Sequence, residues 1–161
     1  MLKWFGISAV VITLDLYSKH LIERAFSLGD NLYITSFFNL VRFHNTGAAF
    51  SFLAEAGGWQ KWFFSIIAII AILMMTHFIR KHYMQTIFSF GLSLILGGAI
   101  GNLYDRLTLG YVVDFLYFHI NTFYWPAFNI ADSAICIGVS ILLFDSFHQE
   151  KSNHARLEKI D

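Results

Sequence analysis

Residues 63–79 read FFSIIAIIAILMMTHFI, and this stretch decides the fold class. It contains no acid, lysine, arginine or glycine, and Lys61 precedes it while Arg80 and Lys81 follow. A helix needs about 20 apolar residues to cross a hydrocarbon core of about 30 Å. Residues 62–79 therefore form a transmembrane span, one that faces lipid and carries no chemistry.

Working outward, the same length and apolarity recur at 4–22, 86–104 and 128–147. The composition agrees: 57% of the residues are hydrophobic and 18% aromatic, and only 14% are charged, against about 25% charged in soluble domains. The first span resembles a signal peptide, with Lys3 ahead of an apolar run, but Asp15 interrupts it and no small-residue cleavage site follows, so it reads as an uncleaved anchor. The chain is expected to be one integral membrane domain over 1–161, an all-α polytopic protein with four transmembrane helices.

Cations orient the spans. Arg80, Lys81 and His82 fill the link after the second span, Lys151, Arg156 and Lys159 fill the tail, and Lys3 opens the chain. Positive charge collects on the cytoplasmic side, which puts both termini and that link there. Segments 23–61 and 105–127 are then external. The first carries LYITSFFNLVRFHNTGAAFSF at 32–52, rich in β-branched and aromatic residues, and suggests a short sheet at the interface. Trp59, Trp62 and Trp125 fall where helix ends meet headgroups.

Some function classes are excluded early. Lys plus Arg and Asp plus Glu number 11 each, with no block of like charge to capture nucleic acid. The single cysteine, Cys136, has no thiol partner and reads as a buried structural residue. The histidines form no HExxH pair, so neither metal nor cofactor is expected. Ser133 and Cys136 lack an adjacent base for nucleophilic catalysis.

A carboxylate within hydrocarbon costs at least about 2.5 kcal/mol, so each acid near a span needs an account. Asp145 lies at a helix end among headgroups. Asp15 and Lys19 are spaced i, i+4 and pair on one helix face; alternatively Lys19 reaches the outer surface to organise headgroups or the loop. Asn102 follows the glycines Gly97, Gly98 and Gly101, which admit a neighbouring helix or a substrate backbone. It reads equally as interhelical glue or as substrate contact.

Asp114 and Asp132 are the informative pair. Gly110 turns the chain back ahead of Asp114, and Asn129 stands as a helix N-cap ahead of Asp132. If the link is a re-entrant hairpin, both acids reach one depth on adjacent helices. Two carboxylates close together in low dielectric share a proton, which suits an aspartic peptidase. On spacing alone a proton- or ion-coupled carrier, or a non-enzymatic subunit of a membrane complex, remains open. A carrier of this kind calls for an internal repeat and broken helices, and the sequence has neither.

The order and wording of the motifs narrow the choice. DLYSK (15–19), HNTGAAF (44–50), GGAIGNLYDR (97–106), VVDF (112–115) and PAFNIADS (126–133) resemble, in sequence and across nearly the whole chain, the bacterial lipoprotein signal peptidases, or signal peptidase II. Leu16 departs from the glutamine common at that position. The resemblance implies a membrane aspartic endopeptidase of the bacterial inner membrane, active at its periplasmic face, with Asp114 and Asp132 as catalytic dyad. It implies a prolipoprotein substrate bearing a diacylglyceryl cysteine, cut just before that cysteine, with membrane lipid and the cyclic peptide globomycin as further ligands. Asn45, Gly47, Asn102, Arg106 and Asn129 are implied as substrate-positioning or dyad-supporting residues, and Asp15, Lys19 and Asp105 as structural ones. The glycine-containing HNTGAAF segment is expected to act as a lid.

Overall fold

The computed structural model describes residues 1–47 and 58–157, with side chains to His148. Among the described residues four helices are long and apolar enough to cross a membrane: α1 (Leu2–Ala25), α2 (Gln60–His82), α3 (Thr86–Thr108) and α4 (Ile130–Leu157). α1 and α2 extend two or three residues beyond their expected bounds at each end, and α3 extends four at its C-terminal end only. α4 begins two residues later than expected and continues as helix past 147. Strands β1 (Asn31–Thr35), β2 (Phe38–Asn45), β3 (Val112–Ile120) and β4 (Phe123–Tyr124) form one antiparallel sheet in the order β1-β2-β3-β4.

The sheet differs from expectation in one respect that matters for the site. The segment after α3 is a strand, not a helical hairpin, so Asp114 lies on β3 opposite Phe43 of β2. VVDFLYFHI is β-branched and aromatic, a composition that favours a half-buried pleated surface over a helix. Gly110, at φ +90, makes the turn from α3, its N–H reaching the Asp105 carbonyl at 3.2 Å.

α3 is the central helix. It packs against α1, α2 and α4, and 56% of its span is buried against 17% for α2. Small residues allow the approach. A Cβ at Gly97 would come within 2.7 Å of the Val11 Cβ on α1, and one at Gly98 would collide with the Ala131 carbonyl oxygen on α4. Lipid gives helices no hydrophobic reason to associate, so close packing and internal hydrogen bonds must hold the bundle. Ser8 Oγ accordingly donates to the Ser93 carbonyl at 2.8 Å, and the Trp4 indole N–H to the Tyr83 carbonyl at 2.9 Å. Trp4, Met75, Ile79, Leu92, Leu96 and Ala99 form the apolar core of the end opposite the sheet.

Candidate active site

The two informative aspartates come from different kinds of element and are brought together by one residue. Phe128 exchanges main-chain hydrogen bonds with Phe115 and Leu116 of β3 at 2.8–3.0 Å, which fastens the start of α4 to the strand. Asn129 follows at once. Its Nδ2 donates to Asp114 Oδ1 at 2.7 Å, and its Oδ1 accepts the Asp132 N–H at 2.9 Å. Asp132 Oδ2 in turn accepts the Asn129 N–H at 3.3 Å. Asn129 and Asp132 thus form a reciprocal capping box, with an acid in the first turn where the helix dipole favours it. The expected N-cap is present, and it also grips the second aspartate.

Further amides surround the pair. Asn45, at the end of β2, donates from Nδ2 to Asp114 Oδ2 at 3.0 Å, and its Oδ1 accepts the Gly47 N–H at 3.0 Å. Asn102 donates from Nδ2 to Asp132 Oδ1 at 2.7 Å. Asp114 is only 2% exposed. Burial, reinforced by the charge of Asp132, pushes its carboxyl up to about 7, against the opposing hydrogen bonds from Asn45 and Asn129.

Behind Asn102 lies a buried charge cluster. Lys19 Nζ sits 2.7 Å from Asp15 Oδ2, 3.0 Å from Asp105 Oδ2 and 3.0 Å from Asn102 Oδ1. The helical i, i+4 pair is as expected, but Lys19 is 2% exposed and does not reach the outer surface. Asp15 Oδ1 also accepts the Ala131 N–H at 2.8 Å, and Asp105 Oδ2 the Val113 N–H at 3.2 Å. The cluster thereby pins α4 and β3 to α1 and α3.

Asp132, Asn45, Asn102 and Arg106 stand at the polar mouth of a cleft of ≈ 580 Å³. The rest of the cleft is apolar, running between α2 and α4 over Ala99 of α3 to Met75 and Ile95. Arg106 donates to the Gly47 carbonyl at 3.1 Å and lies 5.6 Å over the Phe64 ring, while its buried Nε has no hydrogen-bond partner among the described residues.

α2 is mostly exposed, as expected of a lipid-facing span, and its Phe64, Ala68 and Ala71 form an apolar wall of the cleft. One expectation needs correction. Cys136 is exposed and not buried; it lines the cleft's apolar reach from the lipid-facing side of α4. Residues 48–50 of the expected lid lie outside the described residues. Of the described part, His44 stacks on Tyr111 at 3.6 Å, and desolvation lowers its pKa.

Two carboxylates held by one asparagine at the head of a lipid-accessible cleft belong to the chemistry of membrane aspartic peptidases. Known proteins specify the branch. The family model described as signal peptidase (SPase) II matches residues 7–148. The chain is 51% identical over 149 residues to the lipoprotein signal peptidase of Janthinobacterium sp. (strain Marseille), covering 92% of this chain and 90% of that one. Identity to the lipoprotein signal peptidase of Ralstonia nicotianae is 49% over 146 residues, covering 91% and 84%. A solved bacterial membrane enzyme, determined by the in meso method at 2.3 Å resolution, superposes with a TM-score of 0.84 at 32% identity, covering 95% of this chain and 92% of that one. The chain belongs to the signal peptidase II family, and is an aspartic endopeptidase of the membrane.

Proposed function

We propose that Asp114 and Asp132 are the catalytic dyad with which this enzyme removes signal peptides from lipoprotein precursors. The observation that carries the reading is the double grip of Asn129, whose side-chain amide donates to Asp114 Oδ1 and whose main-chain N–H donates to Asp132 Oδ2. With its carboxyl at about 7, Asp114 retains a proton through much of the neutral range. A protonated acid hydrogen-bonds the scissile carbonyl oxygen while the ionised partner takes a proton from the attacking water. Collapse of the tetrahedral intermediate returns a proton to the departing amide nitrogen and breaks the C–N bond.

The substrate is a prolipoprotein whose cysteine carries a diacylglyceryl group, and the cut falls just before that cysteine. The apolar reach of the cleft suits acyl chains, which stay in lipid while the peptide meets water at the polar mouth. Holding the substrate by its lipid makes the encounter intramolecular in effect and supplies several kcal/mol toward the barrier, as oriented binding does. Asn45 and Asn129 support Asp114, and Asn102 supports Asp132. Arg106, bonded to Gly47 and with an Nε that has no hydrogen-bond partner among the described residues, positions substrate polar groups. The same cleft is the place for globomycin. Arg80, Lys81 and His82 close α2 at the end away from the sheet, which supports an active site on the periplasmic face of the inner membrane.

The test is cleavage of a diacylglyceryl-modified prolipoprotein by purified enzyme, beside Asp114→Asn and Asp132→Asn variants shown to fold. Each substitution is expected to lower kcat by about 10²–10⁴-fold. Continued cutting by both variants would overturn the dyad.

A further inference from the structure

We propose that Lys19 is a positioning residue which, through Asn102, fixes Asp132 as the unprotonated, water-activating member of the dyad and leaves the shared proton to Asp114. This rests on the dyad reading above and goes beyond a structural role for the lysine.

The argument begins with what an ammonium group can do: it donates three hydrogen bonds and accepts none. Lys19 directs its three to Asp15, Asp105 and Asn102. The Asn102 amide must therefore turn its oxygen toward Lys19, and its NH₂ group has only one direction left, toward Asp132 Oδ1 at 2.7 Å. An NH₂ group donates only, so that carboxylate oxygen is an acceptor. The other Asp132 oxygen faces the Asn129 main-chain N–H, a donor fixed by the helix start. Asp132 is thus met by donors on both oxygens, and one of them has a full positive charge behind it.

Asp114 also receives two amide donors, from Asn129 and Asn45, and the three bonds of Lys19 go to neither of those amides. The asymmetry between the acids lies in that hydrogen-bonded path, since the charge of Lys19 is felt at Asp114 as well. Arg106 of α3 faces both aspartates, Asp132 foremost, Asp15 and Asp105 are themselves bound to Lys19, and α2 brings only apolar side chains to the cleft. Apolar side chains stabilise a core at least as well as a buried ion pair.

Replacing Lys19 alone strands two buried carboxylates and tests folding more than chemistry. The informative variant is the triple Asp15→Asn, Lys19→Met, Asp105→Asn, which leaves the cluster uncharged by removing two negative charges and one positive, and whose amide oxygens still accept the Ala131 and Val113 N–H groups. A second variant, Asn102→Leu, keeps all three charges and removes only the bridge. Both are assayed for cleavage of a diacylglyceryl-modified prolipoprotein across pH, with thermal unfolding recorded in parallel. We expect kcat to fall about 10- to 100-fold, KM to stay within about threefold, and the acidic limb of the rate profile to move up by about one pH unit, the scale of losing one charge-assisted bond. Parental kcat and an unmoved acidic limb in either folded variant would overturn the relay. Cutting by both dyad variants would instead overturn the dyad, so the two failures are distinguishable.

Discussion

The two ends of this bundle are built from the same helices and held by different forces. At the sheet end, Asp15, Lys19, Asn102, Asp105, Asp114 and Asn129 are all buried and joined by hydrogen bonds and ion pairs. At the other end, Trp4, Met75, Ile79, Leu92 and Leu96 pack without a charge among them. Polar groups withdrawn from water cost several kcal/mol unless satisfied, and apolar packing holds helices together without that cost. Stability alone therefore gives no reason for the sheet end.

If the ends divide labour in this way, disturbing the approach of α3 and α4 near Asp132 damages catalysis most. A valine at Gly98 collides with the Ala131 carbonyl oxygen and comes within 2.8 Å of Ile135, moving the residue next to Asp132. A displacement of about 1 Å costs on the order of 10²-fold in rate. Gly98→Val is expected to lose that much in kcat with a lowered Tm, measured on the purified enzyme. Parental turnover would mean that the dyad is not held by this helix contact.

The matching change at the other end is Ile79→Ala, which empties a fully buried position. Helices already in lipid lose packing but no transfer from water, so a cost of about 1–3 kcal/mol is expected. Activity per folded molecule should stay within about twofold. A large fall in kcat without unfolding would erase the division between the ends.

How much of this was legible in the sequence follows from range. The four spans and the polar motifs depend on local composition, and the family resemblance extended them to a coherent enzyme. Asp114 and Asp132 were expected to meet through a helical hairpin, whereas a strand and a helix start bring them to Asn129, because a short apolar run between spans does not reveal strand or helix by itself. VVDFLYFHI finds its partner in β2, some seventy residues earlier in the chain. The third bond of Lys19 is further out of reach. Asp15 is its i, i+4 neighbour, but Asn102 lies 83 residues away, and no local pattern reports which amide faces a lysine. Cys136 misled for a related reason: apolar neighbours signal burial in water and say nothing about facing lipid.

The gentlest test of the comparison is the stability cost of the sheet end, read on Asp114 itself. Its carboxyl is held up to about 7 in the fold, against an ordinary value of 3.8. Below the ordinary value both the folded and the unfolded chain carry the proton, and the group is neutral in the balance. As pH rises between about 4 and 7 the unfolded chain releases its proton while the folded one keeps it, so stability falls across that window and the loss is complete above it. Asparagine is uncharged at every pH, like the protonated acid, but its NH₂ group cannot accept the bond that a carboxyl oxygen accepts from Asn45 or Asn129. Relative to the parent, Asp114→Asn should therefore gain several degrees in Tm as pH rises from about 4 to above about 7. A variant equally stable to the parent at both pH values would mean that the Asn45 and Asn129 donors already compensate the buried charge, and that the sheet end is no more costly to fold than its apolar counterpart.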